Sequence, residues 1–158
     1  MAEGKFKIRI AEKADSLFIS TIETATSAMP WSEQAIAREI EENDRAIVLV
    51  TEYFDLTVGF SLPQIVAYAD AWKVADELQL NNIAVLKSYR GNGLATELLE
   101  VLAESGRELG CKTINLEVRE SNTPARRLYG KCGFVEVGKR EGYYEDNGET
   151  AVLMDKVL

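Results

Sequence analysis

Two glycines, set between an apolar run and a leucine-rich one, constrain this chain more than any other feature. From Asn82 to Ala103 the sequence NIAVLKSYRGNGLATELLEVLA reads as a buried strand, a turn through Tyr89-Arg90-Gly91-Asn92-Gly93, and an amphipathic helix. A helix that starts at such a turn leaves its first amides without intrahelical acceptors. Its dipole adds partial positive charge there, so the place suits a phosphate or pyrophosphate. Gly91 and Gly93 carry no Cβ, which lets a ligand approach the backbone. A P-loop, G-x-x-x-x-G-K-[ST], occurs nowhere in the chain. The dinucleotide fingerprint G-x-G-x-x-G/A fails too, because its third position, counted from Gly91 and Gly93, falls on Thr96. Taken alone, the stretch is equally an ordinary strand-to-helix turn.

Composition narrows the setting. At 158 residues, with 46% hydrophobic and 28% charged residues, the chain is expected to form one globular domain, 1–158, with a sizeable core. No apolar run approaches the roughly 20 residues of a membrane helix. MAEGKFKIRIAEK lacks the apolar centre of a secretory signal, so the expected location is the cytoplasm, with no membrane partner. The net charge, 18 − 26 = −8, argues against direct nucleic-acid binding and is compatible with a basic partner, or simply with solubility. Cys111 and Cys132 stand without any histidine, so no zinc set, no Cys–His pair and no Ser-His-Asp triad is available. No metal is expected. Any catalysis must use carboxylates, Tyr, Lys or Cys.

Periodicity gives the remaining elements. Lys5 to Ile10 alternates as a strand. Ala14 to Ala28 reads as a helix with Leu17, Phe18, Thr21, Ile22 and Ala25 inward. Met29-Pro30-Trp31-Ser32 breaks it, and Ser32 is a natural N-cap for a second helix, Glu33 to Glu42. Strands follow at Ala46 to Phe54 and Leu56 to Ala69, with Asp55 in a hairpin turn and a bend at Pro63. Asp70 to Glu77 reads as a connection, and Leu78 to Val85 as the strand entering the glycine turn. The main helix buries Leu94, Leu98, Leu99, Leu102 and Leu109 and stops at Gly110. Lys112 to Arg119 alternates, with Ile114, Leu116 and Val118 on one face and Asn115, Glu117 and Arg119 on the other. Ser121-Asn122-Thr123-Pro124 starts a short helix to Lys131. Phe134 to Tyr144 and Thr150 to Leu158 close the chain as a strand pair around Asp146-Asn147-Gly148. The order β-α-α-β-β-β-α-β-α-β-β predicts an α/β fold, a mixed sheet of about seven strands with about four helices on both faces.

Arg90, Gly93 and Ala95 fill the pattern (Q/R)-x-x-G-x-(G/A). This segment, in this order of elements, resembles the GCN5-related N-acetyltransferase (GNAT) superfamily, whose co-substrate is acetyl-CoA. Four further segments resemble its ribosomal-protein alanine N-acetyltransferase branch, RimI: Met29-Pro30-Trp31-Ser32; Asn82-Ile83-Ala84-Val85; Leu116-Glu117-Val118-Arg119-Glu120-Ser121-Asn122; and Leu128-Tyr129 through Gly133-Phe134 with Tyr143-Tyr144 and Asp146-Asn147-Gly148-Glu149. Lys87 departs from the proline usual in the family, and Ala95 from a frequent glycine.

The resemblance implies acetyl transfer from acetyl-CoA to the α-amine of a protein N-terminus, such as the N-terminal alanine of a basic small-subunit ribosomal protein. It also implies splayed strands at the CoA site. Glu117 matches the general base and Tyr129 the general acid. Ile83, Ala84 and Val85 match the strand along the pantetheine arm, with a backbone amide near Val85 for the oxyanion. Arg90, Gly91, Asn92, Gly93, Leu94, Ala95 and Thr96 match the pyrophosphate turn, and Asn122 a cofactor hydrogen bond. Trp31, Tyr143 and Tyr144 match the peptide site. Each residue has a plain structural reading beside this one: a solvated strand glutamate for Glu117, a core tyrosine for Tyr129, an N-cap for Asn122, a packing contact for Trp31. Two other functions stay open, an enzyme of this fold acting on lysine or a small-molecule amine, and a non-catalytic acyl-CoA-binding module.

Overall fold

The computed structural model describes residues 3–60 and 62–158. Among these, seven strands and four helices follow in the expected order: β1 (Gly4–Ile10), α1 (Ser16–Thr26), α2 (Glu33–Glu42), β2 (Ala46–Asp55), β3 (Gln64–Val74), β4 (Glu77–Val85), α3 (Leu94–Glu108), β5 (Thr113–Arg119), α4 (Thr123–Lys131), β6 (Val135–Arg140) and β7 (Ala151–Val157). The strands form one mixed sheet in the order β1-β2-β3-β4-β5-β7-β6. β4 and β5 are parallel; β1–β2, β5–β7 and β6–β7 are antiparallel. No helix among the described residues is long and apolar enough to cross a membrane. The chain divides into two compact units. The first runs to Ala71 and includes Asn82–Leu98; the second comprises Trp72–Asn81 and Leu99–Leu158.

The first unit is built around Ala11, Ile19, Ile22, Ile36, Val48, Val50 and Tyr68, with Trp31, Ile40, Ala84 and Leu86 packed against them. Helix α1 is rotated from its expected face. Leu17 and Phe18 are 54% and 52% exposed, while Ser16, Ile19, Ile22 and Glu23 are buried. The sequence carries two overlapping stripes that share Ile22. The stripe containing Ile19 wins because its polar members find partners: Ser16 Oγ donates to Lys13 O at 2.7 Å, and Glu23 receives three donors described below. The helix also starts two residues late. A 3-10 turn, Lys13–Asp15, precedes it, in which Asp15 accepts from the Glu12 amide and is gripped by both terminal nitrogens of Arg9 at 2.7 and 2.8 Å. Arg9 Nε also meets Glu52 on β2 at 3.0 Å, so one guanidinium ties β1, β2 and the entry to α1 together. α2 has its expected bounds, with Ser32 Oγ accepting from the Ala35 amide at 3.1 Å.

Two strand expectations need correction. β3 begins at Gln64 rather than Leu56, and Asp70 to Val74, expected as a connection, lies in its second half. Asp55 ends β2, and its side chain accepts from the Thr57 amide and hydroxyl at 2.9 and 2.6 Å, which turns the chain out of the ladder. Pro63, without an amide hydrogen, delays re-entry. Ser61, inside the expected strand, lies outside the described residues. The hairpin from β3 to β4 turns at Ala75-Asp76, with Ala75 at φ +53°.

In the second unit β5 alternates as expected, with Ile114, Leu116 and Val118 buried. Leu109, expected on the buried face of the main helix, lies beyond its end and is half exposed. β6 stops at Arg140, short of Tyr144, and residues 141–150 form a loop back to β7. Asp146-Asn147-Gly148 does turn the chain, with Gly148 N donating to Tyr144 O at 2.7 Å, but the turn lies within this loop rather than between paired strands.

Two stability tests follow. Ile19→Ala should cost about 2–5 kcal/mol in urea unfolding, and Phe18→Ser less than about 1 kcal/mol; the reverse ranking would overturn the observed face of α1. The Arg9 guanidinium holds the Asp15 carboxyl below its usual range. Its stabilisation is therefore present above the ordinary aspartate pKa of about 3.9 and is lost as pH falls through the lowered value. Asp15→Asn should cost about 1–3 kcal/mol at neutral pH and flatten the acid limb of the stability curve.

Candidate active site

The glycine turn lies in the first unit. β4 runs into a 3-10 turn, Lys87–Tyr89, anchored by Leu86 N donating to Val66 O at 2.9 Å. The backbone then passes through Gly91 at φ +82° and Gly93 at φ +75°, a region that costs other residues about 1–2 kcal/mol. A Cβ at either glycine would have nothing within 4 Å, so the space above the turn is open. Gly93 O accepts the first helical bond, from Glu97 N at 3.0 Å. Helix α3 therefore offers no carbonyl to the amides of Leu94 and Ala95, while the Leu94 side chain is buried and anchors the turn. The side chains of the turn brace it. Asn92 Nδ2 donates to Tyr89 O at 2.8 Å, and Arg90 Nε to Val85 O at 3.2 Å. What the turn presents outward is backbone, the arrangement expected of a pyrophosphate cradle.

Ile83, Ala84 and Val85 lie half buried on β4 just before this turn. The β4–β5 ladder pairs Glu77–Leu80 with Thr113–Leu116 and ends there, although β4 continues to Val85 and β5 to Arg119. Trp31, also in the first unit, is half buried against the core around Tyr68. Its backbone amide donates to Glu23 Oε2 at 3.3 Å. The other oxygen of Glu23 accepts from the Tyr68 hydroxyl and from Asn82 Nδ2. Burial pushes the Glu23 carboxyl above its usual range, and the donors from Trp31 and Asn82 oppose that shift.

The acid–base candidates lie in the second unit. Glu117 stands on the face of β5 opposite the buried residues and is partly exposed. Arg140 Nη1 on β6 reaches Glu117 Oε1 at 3.1 Å. The Tyr143 hydroxyl also bonds Glu117, and that bond raises the Tyr143 hydroxyl above its usual range. Tyr129 is buried on α4, edge-on to Phe134 at 5.7 Å between ring centres. Burial, reinforced by Tyr144 and Cys132, pushes its hydroxyl up to about 12, so it stays protonated at any working pH. Tyr143 and Tyr144 meet edge to face at 5.1 Å.

Arg119 holds the loop that carries these two tyrosines. Its guanidinium lies 4.0 Å over the Tyr144 ring and pairs with Asp146 at 2.8 Å and Glu149 at 3.6 Å. Glu149 in turn accepts from Ser121 N at 2.7 Å, and the hydrogen bonding from Ser121 lowers its pKa. The structure thus brings Glu117, Tyr129, Tyr143 and Tyr144 into one cluster. Asn122 caps α4, its Oδ1 accepting from Ala125 N at 3.2 Å; the cap does not use its Nδ2. Sequence reasoning missed Glu23, Arg119 and Arg140. Arg119 follows Glu117 by two residues on the same strand face, and that spacing was the one available signal.

Comparison with known proteins agrees with this architecture. The family described as Acetyltransferase (GNAT) matches residues 17–134. The [ribosomal protein bS18]-alanine N-acetyltransferase of Haemophilus influenzae is 36% identical over 146 residues, 90% of this chain and 92% of that protein. The crystal structure of the ribosomal-protein-S18-alanine N-acetyltransferase from Escherichia coli superposes with TM-score 0.82 at 32% identity, covering 97% of this chain and 94% of that one. Arabidopsis thaliana NAA60, solved in complex with acetyl-CoA, superposes with TM-score 0.85 over 98% of this chain and 99% of its own, at 14% identity, a likeness of fold. The chain belongs to the GNAT family of acetyltransferases.

Proposed function

We propose that this chain acts as one N-terminal acetyltransferase domain in the cytoplasm, moving the acetyl group of acetyl-CoA to the α-amine of a protein N-terminus. The substrate class is a basic ribosomal protein that begins with alanine; the Haemophilus influenzae and Escherichia coli relatives are named for the alanine of ribosomal protein S18. The observation that carries the reading is the cluster in which a partly exposed carboxylate, Glu117, and a buried phenol, Tyr129, are linked through Tyr143 and Tyr144. The −8 net charge favours a basic peptide.

The chemistry follows from ordinary pKa values. An α-ammonium has a pKa of about 7.7–8.0, so a carboxylate acting through water suffices to complete its deprotonation. The neutral amine then attacks the thioester carbonyl, forming the C–N bond. The oxyanion takes a hydrogen bond from a backbone amide near Val85. Glu117 removes the remaining ammonium proton, and the C–S bond breaks. A phenol held near 12 is a weak acid toward a thiolate whose conjugate acid lies near 8.5. Tyr129 therefore serves the departing sulfur first as a hydrogen-bond donor, and the proton collected from the amine balances the one the thiol finally holds. The pyrophosphate would rest on the backbone from Gly91 to Thr96, with Arg90 and Asn92 bracing the turn and the pantetheine arm along Ile83, Ala84 and Val85. Trp31, Tyr143 and Tyr144 would contact the peptide.

The first test is acetyl transfer to short peptides with free or blocked α-amines, read by mass spectrometry. Acetylation confined to the free N-terminus supports the reading; transfer to lysine in blocked peptides, or acetyl-CoA binding without turnover, overturns it. Glu117→Gln and Tyr129→Phe should each lower kcat by about 10²–10⁴ with the KM for acetyl-CoA unchanged. The Glu117→Gln loss should be largest below pH 7, where more of the amine is protonated. Gly93→Val puts a branched side chain into the open space over the turn at an unfavourable φ, so acetyl-CoA affinity measured by calorimetry should fall at least about tenfold.

A further inference from the structure

Glu23 is one of four buried acidic residues among the described ones, with Asp15, Glu52 and Asp70, that the proposed chemistry does not use. It is 1% exposed, in the middle of α1, where leucine or methionine would pack without desolvation. Its carboxylate takes donors from three separate places: the Trp31 amide, the Tyr68 hydroxyl on β3 and Asn82 Nδ2 on β4. A buried carboxylate is tolerated when such donors satisfy it, and deleting one partner leaves the others exposed to the full cost.

The segment it grips is held by the packing of Trp31 against the core and by a few hydrogen bonds. Between the end of α1 and the start of α2, Ser27 N bonds back to Glu23 O at 2.8 Å, and Met29 N to Ser27 Oγ at 3.2 Å. Pro30 has no amide to give, Met29 is half exposed, and Ser32 is engaged as the cap of α2. The Trp31–Glu23 bond thus fixes the backbone in the middle of the loop, beside the packing of Trp31 against the core. Asn82, bound to the same carboxylate, immediately precedes Ile83, Ala84 and Val85.

We propose that Glu23 is a positioning residue for peptide recognition, setting the height of Trp31 by fixing the 29–32 loop to β3 and β4. This rests on the assignment of Trp31 to the peptide site. Glutamine at this position is nearly isosteric, but it has one acceptor oxygen where three donors converge, so it cannot satisfy all of them.

The test is steady-state kinetics on an N-terminal alanine peptide and on acetyl-CoA, with the fraction of active enzyme counted by acetyl-CoA binding. Glu23→Gln should raise the peptide KM about tenfold, the equivalent of losing a hydrogen bond to a charged group, and leave the KM for acetyl-CoA within twofold. Tyr68→Phe, which keeps the ring in the core and removes one donor, should raise the peptide KM in the same direction by a smaller factor. The double variant Glu23→Gln/Trp31→Ala should have the peptide KM of Trp31→Ala alone, since Glu23 acts through Trp31. A merely structural role would lower the active fraction and Tm with the peptide KM unmoved, and that result overturns the proposal, as does additivity in the double variant. Absence of transfer by the wild-type enzyme to any peptide would overturn the proposed function itself. Wild-type transfer with an unshifted peptide KM in Glu23→Gln would overturn this assignment alone.

Discussion

The parallel ladder between β4 and β5 lasts for four residue pairs and then stops, and much of the molecule depends on that short run. Backbone amides and carbonyls must be paired or solvated wherever the chain goes. Past Leu116, β5 keeps its antiparallel partner β7, with Glu117 opposite Leu153 and Arg119 opposite Ala151. Past Leu80, β4 runs on to Val85 and the glycine turn. Glu117 on β5, and Ile83, Ala84 and Val85 on β4, each follow the last ladder pair along their own strand.

The loops are fastened by a common device, a single side chain that satisfies several groups at once. Arg9 joins two strands and a helix entry through Asp15 and Glu52. Arg119 holds the 141–150 loop through Asp146, Glu149 and the face of Tyr144. Glu23 does the same with the sign reversed, an anion collecting donors. Isolated surface ion pairs contribute little, but a partly buried guanidinium shared between two carboxylates gives geometric definition that one exposed pair lacks. Loops held in this way need no ladder of their own.

The order of elements was legible in the sequence because glycine, proline and apolar periodicity act locally. The glycine turn follows from two residues at positive φ, and the face of β5 follows from strict alternation over seven residues. The face of α1 was not legible. Two stripes share Ile22, and the choice between them rests on donors to Glu23 that lie 45 and 59 residues away, at Tyr68 and Asn82. β3 was misplaced for a related reason: LTVGFSLP is apolar enough for a strand, yet Asp55 and Pro63 exclude it from the ladder, while Asp70 and Lys73 hide the true strand behind charge. Of the candidate site, the motif residues were visible and their restraints were not. Arg140 reaches Glu117 from another strand, and no local pattern announces that pairing.

The cap on α4 also limits the chemistry that Asn122 can offer. With one lone pair of its carbonyl oxygen taken by the Ala125 amide, the side chain keeps both amide hydrogens and a single remaining lone pair. Donors now outnumber acceptor sites two to one. A carbonyl, ether or phosphoryl oxygen meeting α4 at this point therefore finds the better match. The helix end thus biases hydrogen-bond polarity, a preference set by a residue whose first task is to start the helix.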